Sequence, residues 1–219
     1  MKKKLPIEEK CKQNIKWFVE TFCRFYDPRQ KNTCREVVLE KRQKRALIAM
    51  RDSYGLDDLT IRKLERNVGA SWLAACVVLH RMLFFDNTST LVVYKMERWV
   101  DNFRCVSETS SFFGKLDYLT DHLPQWMYIP GGWDRTRCSI SETINGFARC
   151  KVRGCGATGD CREMRGSRYD CVVIDDADCI KNLSAVLETV HHMTNSVFII
   201  TRAEAGQPKD TSGIEVRIG

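Results

Sequence analysis

Apolar positions along this chain recur first at helical spacing and later at the alternating spacing of strands. Within 7–25, Ile15, Phe18, Val19 and Phe22 fall on one helical face. Asp27-Pro28 is expected to end that helix. A second helical pattern runs over 33–50 and closes at the Ser53-Tyr54-Gly55 turn. Residues 58–64, DLTIRKL, alternate polar and apolar and predict a strand. The loop RNVGAS follows, then a strongly apolar helix from Trp72 to about Phe84. After the Asp86-Asn87-Thr88 turn, 90–95 (TLVVYK) predicts a buried strand. Helical patterns over 97–104 and 108–123 give way to breaks at Pro124 and Pro130-Gly131-Gly132. Residues 137–144 and 146–152 predict a hairpin about Asn145-Gly146, a strong two-residue turn signal. A glycine- and arginine-rich loop covers 153–168. The strand 170–175 (DCVVID), a helix over 181–192, the strand 196–201 (SVFIIT) and a tail with one short strand complete the chain.

Strands alternating with helices predict an α/β fold: a mostly parallel sheet with helices on both faces. Ligands in such folds sit at the carboxyl ends of the strands. Three chemistry-bearing stretches fall there: 66–71, Asp175-Asp176 and Thr201-Arg202. That convergence is the structural argument for a site.

Composition narrows the class. With 219 residues and 43% apolar content the chain can bury a sizeable core. No apolar run approaches the roughly 20 residues of a membrane span, and the basic N-terminus, MKKKLPIEEKCKQ, lacks the apolar stretch of a secretory signal. An intracellular protein with no membrane partner is expected. The net charge of +7, from 35 basic and 28 acidic residues, favours a polyanionic partner, most simply nucleic acid. Eleven cysteines, an odd number, read as reduced thiols rather than a secreted disulfide framework. The spacing Cys150-x4-Cys155-x5-Cys161 is too loose for the usual zinc pairs.

Residues 64–80, LERNVGASWLAACVVLH, resemble a phosphate-binding loop opening a helix. Such a unit aims free backbone N–H groups and the positive helix end at an anion. Gly69 allows close phosphate approach, and Ser71 can ligate Mg²⁺ or cap the helix. The usual lysine is absent: Ala70 stands in its place. Arg66 and Lys63 lie just upstream, and a guanidinium can grip phosphate through two N–H bonds. Asn67 and Val68 complete the loop. Taken alone, RNVGAS reads more simply as a capped turn with a solvated arginine.

In YDCVVIDDADCI (169–180) a buried strand delivers two acids to its tip. Asp175 is placed to hold Mg²⁺ and Asp176 to orient an attacking water; the alternative is helix capping. Arg162, Arg165 and Arg168 occupy the preceding loop, where an arginine can stabilise a phosphoryl transition state or touch a nucleic-acid backbone. Arg165 is the candidate. Thr201 is a candidate sensor of the γ-phosphate, and Gln43 a candidate reader of an adenine edge.

Taken together, RNVGASWLAA and MRGSRYDCVVIDDAD, with the glutamine-bearing helix, the NGFARCKV hairpin and the strand FIIT, resemble the ATPase domain of the large terminase subunit, the DNA-packaging motor of tailed phages and herpesviruses. The resemblance covers roughly residues 36–205, leaving 1–35 as an N-terminal helical extension and 36–219 as the ATPase core. It implies a P-loop NTPase fold of the RecA-like class and ATP with Mg²⁺ at the site. It also implies double-stranded viral DNA as the track, and a ring of subunits working with a portal protein and a small terminase subunit in an infected cell. On the family pattern, Arg66, Gly69 and Ser71 match the phosphate loop. Asp175 matches the magnesium-binding acid, Asp176 the catalytic glutamate, and Thr201 the start of the coupling motif. Three positions depart: Ala70 for lysine, Asp176 for glutamate, and Arg202-Ala203 in the coupling segment. The nuclease domain usual in the family is expected to lie outside this chain, as in an excised domain or a split gene. Two other readings stay open: a helicase-like ATPase, and a catalytically degenerate nucleotide fold that binds DNA or scaffolds.

Overall fold

Side chains alternate between the two faces of a strand, and here that alternation divides the core in two. A computed structural model describes residues 6–26, 34–55, 60–65, 69–102, 109–127, 132–144, 147–157, 166–201 and 214–217. Its main sheet has eight strands in the order β10-β3-β9-β8-β4-β7-β6-β5. These are β3 (Thr60–Glu65), β4 (Thr88–Tyr94), β5 (Asp134–Thr136), β6 (Ser139–Ile144), β7 (Phe147–Gly156), β8 (Cys171–Ile174), β9 (Ser196–Thr201) and β10 (Ile214–Arg217). The pairs β3–β9, β9–β8, β8–β4 and β4–β7 are parallel. Antiparallel strands close both edges, β10 on one and the β6–β5 hairpin on the other. The expected mostly parallel α/β sheet with helices on both faces is what the chain forms.

On one face Val92, Cys171, Val173, Phe198 and Ile200 pack under the helices that come early in the chain. These are α1 (Ile7–Gln13), α2 (Ile15–Phe22), α3 (Lys41–Ser53), α4 (Ala70–Phe84) and α6 (Phe112–Asp121), with the single turn α5 (Glu97–Val100) beside them. On the other face Leu91, Val93, Val172, Ile174, Val197 and Ile199 pack against α7 (Leu183–His191). Helix α4 lies centrally and has no polar face: most of it is buried from Ala70 to Phe84. This is the signature of a core helix.

The structure corrects the helical pattern at the N-terminus. Residues 7–22 form two helices, because Asn14 adopts φ −128° and its side chain accepts the Trp17 N–H at 3.1 Å, starting a new helix. Arg24–Tyr26 then forms β1, paired antiparallel with β2 (Cys34–Glu36), so 33–50 begins with a strand. Helix α3 starts where Glu40 and Gln43 make a capping box. Residues 7–23 contribute Cys11, Ile15, Phe18, Val19 and Cys23 to the same core as α4. The helical patterns at 97–104 and 108–123 shorten to α5 and α6. Strand β7 runs on to Gly156, four residues into the expected glycine–arginine loop. It can do so because Gly154 has no side chain: a Cβ there would stand 2.1 Å from Val100 Cγ1.

Candidate nucleotide site

The carboxyl ends of the parallel strands carry a polar cluster in an otherwise apolar core. Gly69 is the N-cap of α4, in the left-handed conformation (φ 72°, ψ 30°) that favours glycine. Its carbonyl accepts the Trp72 and Leu73 N–H groups at 3.0 and 3.1 Å, so the helix starts abruptly after the turn. Ser71 lies in the first turn, half-buried, with its side chain beside the Tyr94 phenol. Tyr94, at the tip of β4, donates to Asp175 Oδ2. Asp175 follows β8, is 1% exposed, and donates its N–H to Val93 O at 3.0 Å, extending the ladder to the strand tip. Its other oxygen, Oδ1, accepts the Asp176 N–H at 2.8 Å. The result is one chain of contacts, Ser71–Tyr94–Asp175–Asp176. It joins the predicted helix-start hydroxyl to the predicted acids.

Alternation explains the meeting. Tyr94 shares the α4 face with Val92, and Asp175 continues the Cys171, Val173 series on that same face. Burial, reinforced by the Asp175 carboxylate, drives the Tyr94 phenol well above its ordinary pKa and keeps it a neutral donor. Asp176 has φ 50° and ψ 42°, left-handed and non-glycine, and leads into a 3-10 turn, Ala177–Cys179. Strained backbone at a strand tip is a mark of functional sites. The donors gathered here, a hydroxyl and carboxylates, are the hard oxygens that suit Mg²⁺.

Other predicted residues fall differently. Ala70, at the position of the usual lysine, is fully buried, a core residue of α4. Gln43 is at the third position of α3; its Oε1 accepts the Glu40 N–H at 2.8 Å. Its Nε2 lies 3.8 Å from where a Cβ on Gly69 would stand, so α3 brings this amide against the loop. Thr201 is buried at the tip of β9, but alternation sets it with Val197 and Ile199 on the α7 face, across the sheet from Tyr94. Lys63 is in β3, paired with Ile199 and Ile214; its side chain, like Arg66, Asn67, Val68, Arg162 and Arg165, lies outside the described residues.

One expectation is corrected. Arg168 is not near the acids: it precedes β8 and lines a cavity of about 570 Å³ at the amino ends of the strands, with Ser89, Asp170, His191 and His192. The histidine pair therefore borders that cavity. Cys150 and Cys155 belong to opposite cores, so they face opposite sides of β7 and cannot share a zinc ion. Burial raises both the Cys138 thiol, to about 12, and the Cys150 thiol, to about 11. Sequence reasoning missed Tyr94. Its signal was present: a hydroxyl-bearing residue ending the apolar strand TLVVYK, at the same sheet edge as the other candidates.

No protein-family profile matches the sequence, and no curated protein matches it. Solved structures do resemble it. The large terminase of bacteriophage HK97 superposes with a TM-score of 0.55 at 15% identity, over 89% of this chain and 38% of that one. The large terminase ATPase domain of Thermus phage P74-26 gives 0.51 at 15% identity, over 68% of this chain and 67% of that one. The fold is that of large terminase ATPase domains. This chain spans well under half of the HK97 terminase it matches. Among the described residues, no helix is long and apolar enough to cross a membrane.

Proposed function

We propose that this chain is the ATP-hydrolysing domain of a viral DNA-packaging motor, acting on double-stranded DNA. One observation carries the reading: the Ser71–Tyr94–Asp175 cluster beside a left-handed Gly69, where α4 begins, at the carboxyl ends of parallel strands on a terminase-like fold. Helix starts attract phosphate through unpaired N–H groups and the helix dipole. Ser71 and Asp175 would hold Mg²⁺, which when bound neutralises charge on the phosphates. Asp176, half-exposed beyond the buried Asp175, would orient the attacking water. Arg66 and Lys63 would supply the charge that Ala70 lacks. Gln43, held against the loop, would contact the base through its side-chain amide, and Arg165 would act on the transition state. Thr201 would report phosphate state at the tip of β9. A ring of copies on a portal, with a small DNA-recognising subunit, follows from the terminase reading.

The test is Mg·ATP binding and turnover, with and without double-stranded DNA. Arg66→Ala should weaken binding and turnover together. Asp176→Asn should leave binding within a few-fold and cut turnover by about 100-fold or more, the usual range for losing a proton-handling group. No Mg·ATP binding by the wild type would defeat the reading.

A second reading has its own observation. Fully buried Ala70 has traded the phosphate-binding lysine for core packing, as expected of a degenerate fold retained for DNA binding or scaffolding. Turnover sensitive to Asp176→Asn would eliminate it; Mg·ATP binding that never leads to turnover, even on DNA, would favour it.

A further inference from the structure

Tyr94 has no role in the nucleotide chemistry described above, yet it sits at its centre. Its hydroxyl donates to Asp175 Oδ2 and lies beside the Ser71 side chain. These two partners are the oxygens a divalent cation would recruit. Mg²⁺ demands near-octahedral oxygen ligands at about 2.0–2.1 Å and keeps several of its waters. A hydroxyl bonded to one of these ligands and lying beside the other takes up space that the ion and its waters require. The phenol is 3% exposed, so the ring is held by its surroundings.

We propose that the Tyr94 hydroxyl is a built-in stand-in for the cation: beside Ser71, it holds Asp175 in the cation's absence and is displaced when Mg·nucleotide enters. The inference rests on the nucleotide reading above. Three consequences follow. The buried carboxylate of Asp175 keeps two donors, Tyr94 and the Asp176 N–H, when no metal is present, so the empty site is stable. Cation entry competes with an internal hydrogen bond and needs a higher Mg²⁺ concentration than an open site would. Displacement acts on the last residue of β4, whose carbonyl accepts the Ala157 N–H at 2.6 Å and whose exit segment lies hard against Gly156, where a Cβ would meet Glu97 N at 2.9 Å. Metal entry is thereby felt at the surface turn that follows β4.

The experiment is equilibrium binding of a fluorescent ADP analogue to the whole chain across a Mg²⁺ titration, on wild type and Tyr94→Phe. A parallel arm uses EDTA, and thermal melting is run with and without Mg·ADP. Tyr94→Phe should need roughly tenfold less Mg²⁺ for half-saturation, the scale of one hydrogen bond to a charged group. It should bind the analogue in EDTA as the wild type does. It should melt lower when empty and gain more from Mg·ADP. An unchanged Mg²⁺ requirement overturns the proposal while leaving the nucleotide reading intact. A raised requirement also overturns it, making Tyr94 a group that positions the ligands instead. An equal change in EDTA overturns it too, since the effect would not act through the cation. Wild type that binds no analogue at any Mg²⁺ concentration overturns the nucleotide reading and this inference together. Tyr94→Met, which fills the core without a hydroxyl, must behave as Tyr94→Phe does, and replaces it if the phenylalanine variant does not fold.

Discussion

His80 shows how a single residue can set the pH response of the fold. It is fully buried on α4, ringed by Phe18, Phe84 and Phe85 at 5.2–5.7 Å. Its Nε2 is 3.0 Å from the Cys11 carbonyl, which can only accept, so Nε2 carries the proton and Nδ1 is left without a partner. Burial disfavours the imidazolium and lowers its pKa from 6.5 to about 4. The unfolded chain therefore binds the proton first as pH falls. Stability attributable to neutral His80 is complete above pH 6.5 and is lost progressively down to about pH 4, where the loss levels off. The loss amounts to about 3 kcal/mol in all. His80→Gln should flatten the fall in melting temperature between pH 6.5 and 4. If both proteins lose stability in parallel over that window, His80 is not the titrating group.

At the scale of elements, β7 depends on a side chain it lacks. Gly154 lets α5 and α6 close onto the strand: an added Cβ would stand 2.1 Å from Val100 Cγ1 and 2.9 Å from Phe113 Cε2, both in buried residues. Overpacking of this kind costs about 1–3 kcal/mol. Gly154→Ala should thus lower the melting temperature by about 2–4 °C for each kcal/mol in a chain of this size. No change on melting would mean that α5 and α6 shift freely.

The same scale shows what was legible in the sequence. Strands β4, β8 and β9 and the buried helix α4 were readable because their apolar runs have no competing signal. The pairing of an early helix start with late acids was readable because both follow strands. The break at Asn14 was not: the apolar period continues across it, and only a capping side chain turns one helix into two. Nor was β2, since Cys34–Glu36 is polar and is fixed by its pairing with β1. The buried state of Ala70 and the face of Thr201 depend on tertiary register, which composition does not carry. The Tyr94–Asp175 hydrogen bond joins residues far apart in sequence, and it arises only once β4 lies beside β8.

For the whole molecule, the two faces of the sheet are unequally covered by the described helices, and the Tyr94–Asp175 cluster sits at the strand tips on the α4 side. Helix α4 is buried over nearly its full length, under α1, α2, α3 and α6. Helix α7 buries only Val186 and Val190 of its nine residues. Local opening is easiest where few apolar side chains are withdrawn from water. Amides of α7 should therefore exchange hydrogen well before those of α4, which should exchange only with global unfolding. Ser71 belongs to the slow side, while Asp176 leads through a 3-10 turn toward the fast side. If Mg·ATP engages both, it should slow exchange in α7 and leave α4 nearly unchanged, because α4 already exchanges at the global limit. Equal exchange in the two helices without ligand would contradict the unequal-face argument. Protection confined to α4 would mean that Asp176 takes no part in holding the nucleotide.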